Sequence, residues 1–329
     1  MKTFSFIGSD KNAGKTTAFN FIVSQLKKSL ICLTSIGING EFFDSLENHK
    51  KPAIKVPCGA LFVTTVDQLK THPGSYELIE FLYPPTFSKN FVLAKSLGTY
   101  EFILEGPNQK SEILSLKNLL ESLYPEIILL IDGSIDRQFL GHPTVSDAFY
   151  FSLLLSQRPD QKEKAKNLLY PLYIPLVDKK LKNKIEKLKD QDSRSLLFID
   201  DNILYRSKEI PGLDKKLEEL IHHPVEENAP KKILYLNGAL SKTLARTIAP
   251  KKDLIVILDN FTLFQNISQD AQKESLFRPP LFLFHPLNIK GIFLKEEQGQ
   301  QRPIDLKFSK NIPIFNIYRE IPHEITAES

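Results

Sequence analysis

The chain has 329 residues, enough for two domains at roughly 150 residues each. Its 42% hydrophobic and 25% charged content supplies the apolar surface that a folded core needs, which excludes a disordered chain. The 43 Lys+Arg against 39 Asp+Glu leave a formal charge of only +4, too small an excess for nucleic acid to be the main partner.

In chain order, short apolar runs alternate with helix-length segments. Phe4 to Ile7 reads as a buried strand, Thr16 to Lys28 as a helix and Leu30 to Thr34 as a second strand. Asn90 to Ser96 and Glu101 to Glu105 read as strands paired through a turn at Leu97 to Thr99. Ser111 to Leu123 is helical. Glu126 to Asp132 is apolar on successive residues, as a strand covered on both faces is. Val145 to Ser156 is expected to be a helix. The Lys-rich stretch from Gln157 to Ser195 carries Leu181, Ile185 and Leu188 on one helical face, with lysines on the others.

Ser195 to Asp200, Lys232 to Leu236 and Asp253 to Leu258 are the next strands. Pro280 to Phe284, Gly291 to Leu294 and Ile312 to Ile317 are weaker ones, and helices are expected near Leu213 to Ile221 and Ser241 to Thr247. This alternation predicts an α/β fold: a mostly parallel sheet of the P-loop NTPase type with flanking helices, followed by a second, smaller α/β domain. The expected division is 1–195 for nucleotide binding and 196–329 for a C-terminal domain that binds a partner.

Two cysteines, Cys32 and Cys58, cannot form a disulfide framework in so long a chain. Met1 to Ile7 is too short for a signal peptide, and no stretch approaches the ~20 apolar residues of a membrane span. A reducing, cytoplasmic setting without a membrane partner is therefore expected.

The sharpest signal is GSDKNAGKTT at 8–17, where an apolar strand enters a loop and Gly14-Lys15-Thr16 opens a helix. Backbone N–H groups of such a loop, with the helix dipole behind them, attract an anion. The expected ATP-binding residues are Gly8, Ser9, Asp10, Lys11, Asn12, Ala13, Gly14, Lys15, Thr16 and Thr17. Lys15 would reach the terminal phosphates and the Thr16 hydroxyl would ligate Mg2+. No guanine-reading [NT]KxD motif ends a strand, which favours ATP over GTP.

Asp132, at the end of its apolar run, is the expected second Mg2+ ligand. Glu41 and Asp44 follow the second strand and are candidates to ligate Mg2+ or to position the attacking water. Asp136 and Arg137 either contact phosphate or pair with each other, and Glu105 ends another strand, where it either sits in a simple turn with Gly106 and Pro107 or faces the same crevice.

Strict P-loops carry Gly where this chain has Ser9. The spacing from Gly8 to Thr16 instead resembles the loop of dethiobiotin synthetases. Further blocks extend a resemblance along the chain: LTSIGINGE (33–41), LEGP (104–107), IDGSIDR (131–137), VSDAF (145–149), NGALS (237–241) and DNFTLF (259–264). In this order they resemble the ATP-binding reactivase subunit of lysine 5,6-aminomutase. That resemblance implies an ATPase that exchanges damaged cobalamin for adenosylcobalamin on the mutase. It also implies two partners, the aminomutase and a second reactivase subunit.

The loop alone leaves two other readings open. One is a dethiobiotin-synthetase-like enzyme acting on a small carboxylic acid or amine, with Lys11 on the substrate. The other is a nucleotide-binding module without turnover. A homodimer across the nucleotide, common in this class of P-loop proteins, also stays open.

Overall fold

The computed structural model describes residues 1–26, 28–39, 53–133, 140, 142–156, 158–223, 230–238, 242–261, 279–296 and 312–317. The elements are β1 (Lys2–Gly8), α1 (Lys15–Gln25), β2 (Ile31–Ser35), β3 (Gly37–Asn39), β4 (Ile54–Val56), β5 (Leu61–Thr65), α2 (Val66–Leu69), β6 (Tyr76–Leu82), β7 (Phe91–Ser96), β8 (Tyr100–Phe102), β9 (Leu104–Gly106), α3 (Lys110–Leu123), β10 (Ile128–Asp132) and β11 (Ala148–Leu155). They continue with α4 (Pro159–Leu169), α5 (Lys179–Leu188), β12 (Ser195–Ile199), β13 (Asn202–Ser207), α6 (Lys215–His222), β14 (Lys232–Leu236), α7 (Lys242–Ile248), β15 (Leu254–Leu258) and β16 (Leu281–Leu283), and end with β17 (Ile289–Glu296) and β18 (Ile314–Asn316).

The protein is α/β, with a large, mostly parallel sheet and a smaller mixed one. The large sheet has nine strands in the order β18-β17-β11-β1-β10-β2-β5-β7-β6. Every pairing from β18 to β5 is parallel, whereas β5–β7 and β7–β6 are antiparallel. β1 lies inside this sheet, between β10 and β11. The chain first leaves β1 toward β2 and β5, and later returns to add β11 on the opposite side. Such a reversal opens a crevice at the carboxyl ends of the strands.

Both faces of the large sheet are covered. Phe6 of β1 and Leu130 of β10 pack with Ala18, Phe19, Ile22 and Val23 of α1 on one face. Leu129 and Ile131 pack with Ile113, Leu116 and Leu120 of α3 on the other. Each fully buried Phe, Leu or Ile contributes about 1.5–3 kcal/mol, so these layers hold the loops above them rigidly. At the entry to α3, Glu112 is 2% exposed and accepts the N–H groups of Asn108 and Gln109 at 3.0 Å, and that of Ser88. Burial pushes its carboxyl up, but these donors win and hold it below the usual range.

The smaller sheet has the order β13-β12-β14-β15-β16, with β14, β15 and β16 parallel and β12 antiparallel to its neighbours. Its core joins Leu196, Phe198, Tyr235, Ile257 and Phe284 to Ile185 of α5. Asp178 caps α5 by accepting the N–H of Leu181 at 2.8 Å.

Four expectations need correction. The chain divides into residues 1–165 with 288–329, and residues 166–287, so the smaller unit is an insertion. Composition marked a boundary near 195, but β17 and β18 return to the large sheet, a pairing that composition does not report. The expected helix from Val145 to Ser156 is instead strand β11. Its apolar residues are buried from both faces, which removes the alternation that separates strand from helix. The expected hairpin through Leu97 to Thr99 also does not form: β7 pairs with β5 and β6, and β8 pairs with β4. Glu105, expected near a turn, lies buried in β9, which pairs with β3. Among the described residues, no helix is long and apolar enough to cross a membrane.

Candidate functional site

The loop after β1 takes its shape from two backbone conformations that most residues avoid. Asn12 has φ 60° and Gly14 has φ 78°. Asn tolerates the left-handed region better than most side chains, and Gly does so without penalty. Gly14 is also crowded: a Cβ there would collide with the side chain of Ile317, which follows β18. The helix begins at once, with the Ala18 N–H donating to the Gly14 carbonyl at 3.0 Å. The first N–H groups of a helix have no partner within it, and the first turn of α1 carries no acidic residue. That end is therefore electropositive and aimed at the loop.

Ser9 is 4% exposed and ties the loop to β11. Its N–H donates to Ser152 at 2.8 Å, and its hydroxyl accepts the N–H of Leu154 at 3.0 Å. This explains how the chain dispenses with glycine there. Asp10 accepts the Lys11 N–H at 2.8 Å and the ammonium of Lys164, on α4, at 3.0 Å. Ala13 is 2% exposed and donates its N–H to the Asp10 carbonyl at 3.4 Å.

The β1–β10 register sets Phe6 opposite Asp132 and so delivers the Asp132 carboxylate to the loop. Its Oδ1 lies 3.3 Å from Lys15 Nζ, which also donates to the Gly133 carbonyl. Asp132 is fully buried and Lys15 is 20% exposed. Burial pushes the Asp132 carboxyl above the usual range, and the Lys15 charge and the Thr16 hydroxyl oppose this without cancelling it. Gly133 continues the ladder by donating to Phe6 O at 3.1 Å, and a Cβ there would stand 2.6 Å from that same oxygen. Close passage of the chain beside β1 therefore requires glycine.

Lys15, Thr16 and Asp132 are thus brought together. Glu105 is held elsewhere: Lys89 Nζ donates to its carboxylate at 2.5 Å and the Thr65 hydroxyl at 3.2 Å. Its strand packs on the end of β2, where a Cβ on Gly106 would strike Ser35. Glu41, Asp44, Asp136 and Arg137 lie outside the described residues. The sequence carried no sign of the Lys164 contact, since that lysine sits in a Lys-rich helix, nor of Ile317 against Gly14.

In the smaller sheet, Asp259 follows β15 and is 2% exposed. Tyr235 donates its hydroxyl to Asp259 Oδ1 at 2.6 Å, and His285 Nε2 lies 3.6 Å from the same oxygen. Burial, then the Asp259 charge, pushes the Tyr235 phenol up, so it remains a donor. Burial pushes His285 down, against the pull of Asp259. Among the described residues, no three His, Cys, Asp or Glu side chains gather as a metal site.

No protein-family model matches the chain, and no curated protein does. Two solved structures are similar to part of it: pNOB8 ParA, and pNOB8 ParA bound to nonspecific DNA. Each has 14% sequence identity and a TM-score of 0.25, and each match covers 54% of this chain. The matches cover 61% and 62% of those chains, so the similarity spans about three-fifths of their length.

Proposed function

We propose that the chain binds ATP with Mg2+ at the β1–α1 loop and hydrolyses it, and that turnover drives cobalamin exchange on an adenosylcobalamin-dependent aminomutase. One observation carries the nucleotide reading. The Lys15 ammonium, at the start of α1, lies 3.3 Å from a buried carboxylate at the end of the neighbouring parallel strand. A buried acid beside a lysine and a hydroxyl, at the carboxyl edge of a parallel sheet, is the arrangement that phosphate binding with a divalent cation requires.

The donor set fits Mg2+, because the Thr16 hydroxyl and the buried Asp132 carboxylate are hard oxygen ligands. When bound, Mg2+ supplies charge neutralisation on the phosphates. Lys15 leaves Asp132 and Gly133 to meet the phosphates, the loop N–H groups orient them, and the covered sheet faces keep this geometry fixed. Glu41 or Asp44 orients water in this scheme. The aminomutase and the second reactivase subunit rest on the sequence blocks from 8–17 to 259–264, which resemble the reactivase family. A change in order of the segments that touch the γ-phosphate is what such a partner reads.

Calorimetry with ATP and Mg2+ tests the site. The parent chain is expected to bind, and Lys15→Ala to lose at least about 100-fold in affinity, the worth of a charge-assisted contact with its positioning. Equal binding by the variant removes the site. Slow ATPase that rises on adding purified aminomutase supports the partner. Turnover that depends instead on a small carboxylic acid or amine moves the protein to the synthetase-like reading.

A further inference from the structure

We propose that Lys164 is a further phosphate-binding residue of this site, carried to the loop by α4 and held ready by Asp10. The inference rests on reading the β1–α1 loop as a nucleotide site. The motif contains one acid, Asp10, whose negative charge stands in the loop that would receive an anion. The structure shows how its charge is met: Lys164 Nζ lies 3.0 Å from Asp10 Oδ1, across 154 residues of sequence.

Three features make Lys164 more than a surface partner. The Lys11 N–H also bonds Asp10 Oδ1, so the carboxylate is fixed and the ammonium is held in one place. Asp10 is only 14% exposed, whereas the Lys164 side chain is 48% exposed, which leaves the cation on the open side of the loop. A lysine carries a point charge on a flexible four-carbon stem and can move between oxygens without moving its helix. An arriving triphosphate offers more charge than Asp10 does, so the ammonium transfers from the carboxylate to phosphate. Lys15 cannot supply this second cation, because its single charge is directed at the Asp132 side of the site.

A thermodynamic cycle tests the assignment, using the full chain, ATP with Mg2+, and AMP as the probe without terminal phosphates. The variants are Lys164→Ala, Lys164→Arg, Asp10→Asn and the double variant Asp10→Asn with Lys164→Ala. Thermal melts confirm that each is folded. Lys164→Ala is expected to weaken ATP by roughly 10-fold to 100-fold, the worth of one charge-assisted hydrogen bond, and AMP far less. Lys164→Arg keeps most of the affinity, and the double variant stays as weak relative to Asp10→Asn as Lys164→Ala is to the parent.

If the double variant binds ATP as Asp10→Asn does, Lys164 only neutralises Asp10 and the proposal is wrong. Unchanged ATP affinity in Lys164→Ala overturns it outright, while leaving the nucleotide site standing. A parent chain that binds no ATP removes both.

Discussion

Two buried aspartates occupy the same place in the two sheets. Asp132 ends β10, between β1 and β2, and Asp259 follows β15, between β14 and β16. Their neighbours differ. Asp132 meets an ammonium and a hydroxyl at the mouth of a loop, whereas Asp259 meets the phenol of Tyr235 and a half-buried imidazole. The carboxyl edge of a parallel sheet therefore supplies a position, and the partner decides the chemistry. A lysine can leave for phosphate and free its acid for a cation. A tyrosine locked in the core at 0% exposure stays where it is and makes its acid part of the scaffold.

The largest expected effect is on Asp132. Asp132→Asn should lower Mg2+-dependent turnover by about 10²–10³, the scale of losing one transition-state electrostatic contact. It should not weaken the fold at neutral pH. The folded carboxyl sits above its unfolded value, so its stability contribution is complete at acid pH below the unfolded value and declines as pH rises through the folded one. The variant lacks that decline and should melt higher than the parent at pH 7, with the gap closing toward pH 4. A lower melt at pH 7 would show that the Lys15 pairing outweighs burial.

Next comes Gly14→Ala, which forces a Cβ onto φ 78° and into Ile317, at a cost of about 2–4 kcal/mol. Denaturant melts measure this, and a cost of only about 1–2 kcal/mol, the left-handed backbone penalty alone, would mean that Ile317 moves aside.

In the smaller sheet, Tyr235→Phe removes the donor to Asp259 and should cost about 1–3 kcal/mol while leaving ATP affinity unchanged. A fall in ATP affinity would erase the contrast between the two aspartates. The smallest effect is a pH slope. His285 is held below its unfolded value, so the unfolded chain takes up the proton first and stability falls as pH drops from about 7 toward the folded value. His285→Gln should flatten that slope. It runs opposite to the Asp132 contribution, and melts of both variants across pH 4–8 should separate the two.

Much of the candidate site was legible because its parts are neighbours in the chain. A strand, a glycine loop and a helix start are local, and the residues from Gly8 to Thr17 follow one another without a break. Asp132 was legible too, since an apolar run ending in Asp and Gly marks a covered strand leaving a sheet. β11 was misread for the complementary reason: a run buried from both faces carries no period. Glu105 read as a turn residue because nothing near it in sequence announces Lys89 or Thr65.

By itself, then, the sequence determined the α/β class, the strand–loop–helix at the start of the chain and the strand that ends in Asp132, because contiguous residues and strong local preferences encode them. Tertiary structure alone decided that the smaller unit is an insertion, that β17 and β18 complete the first sheet, that Ile317 seals Gly14 and that Lys164 reaches Asp10. Those pairings join residues far apart in sequence, and the free energy of packing that selects them belongs to no single segment.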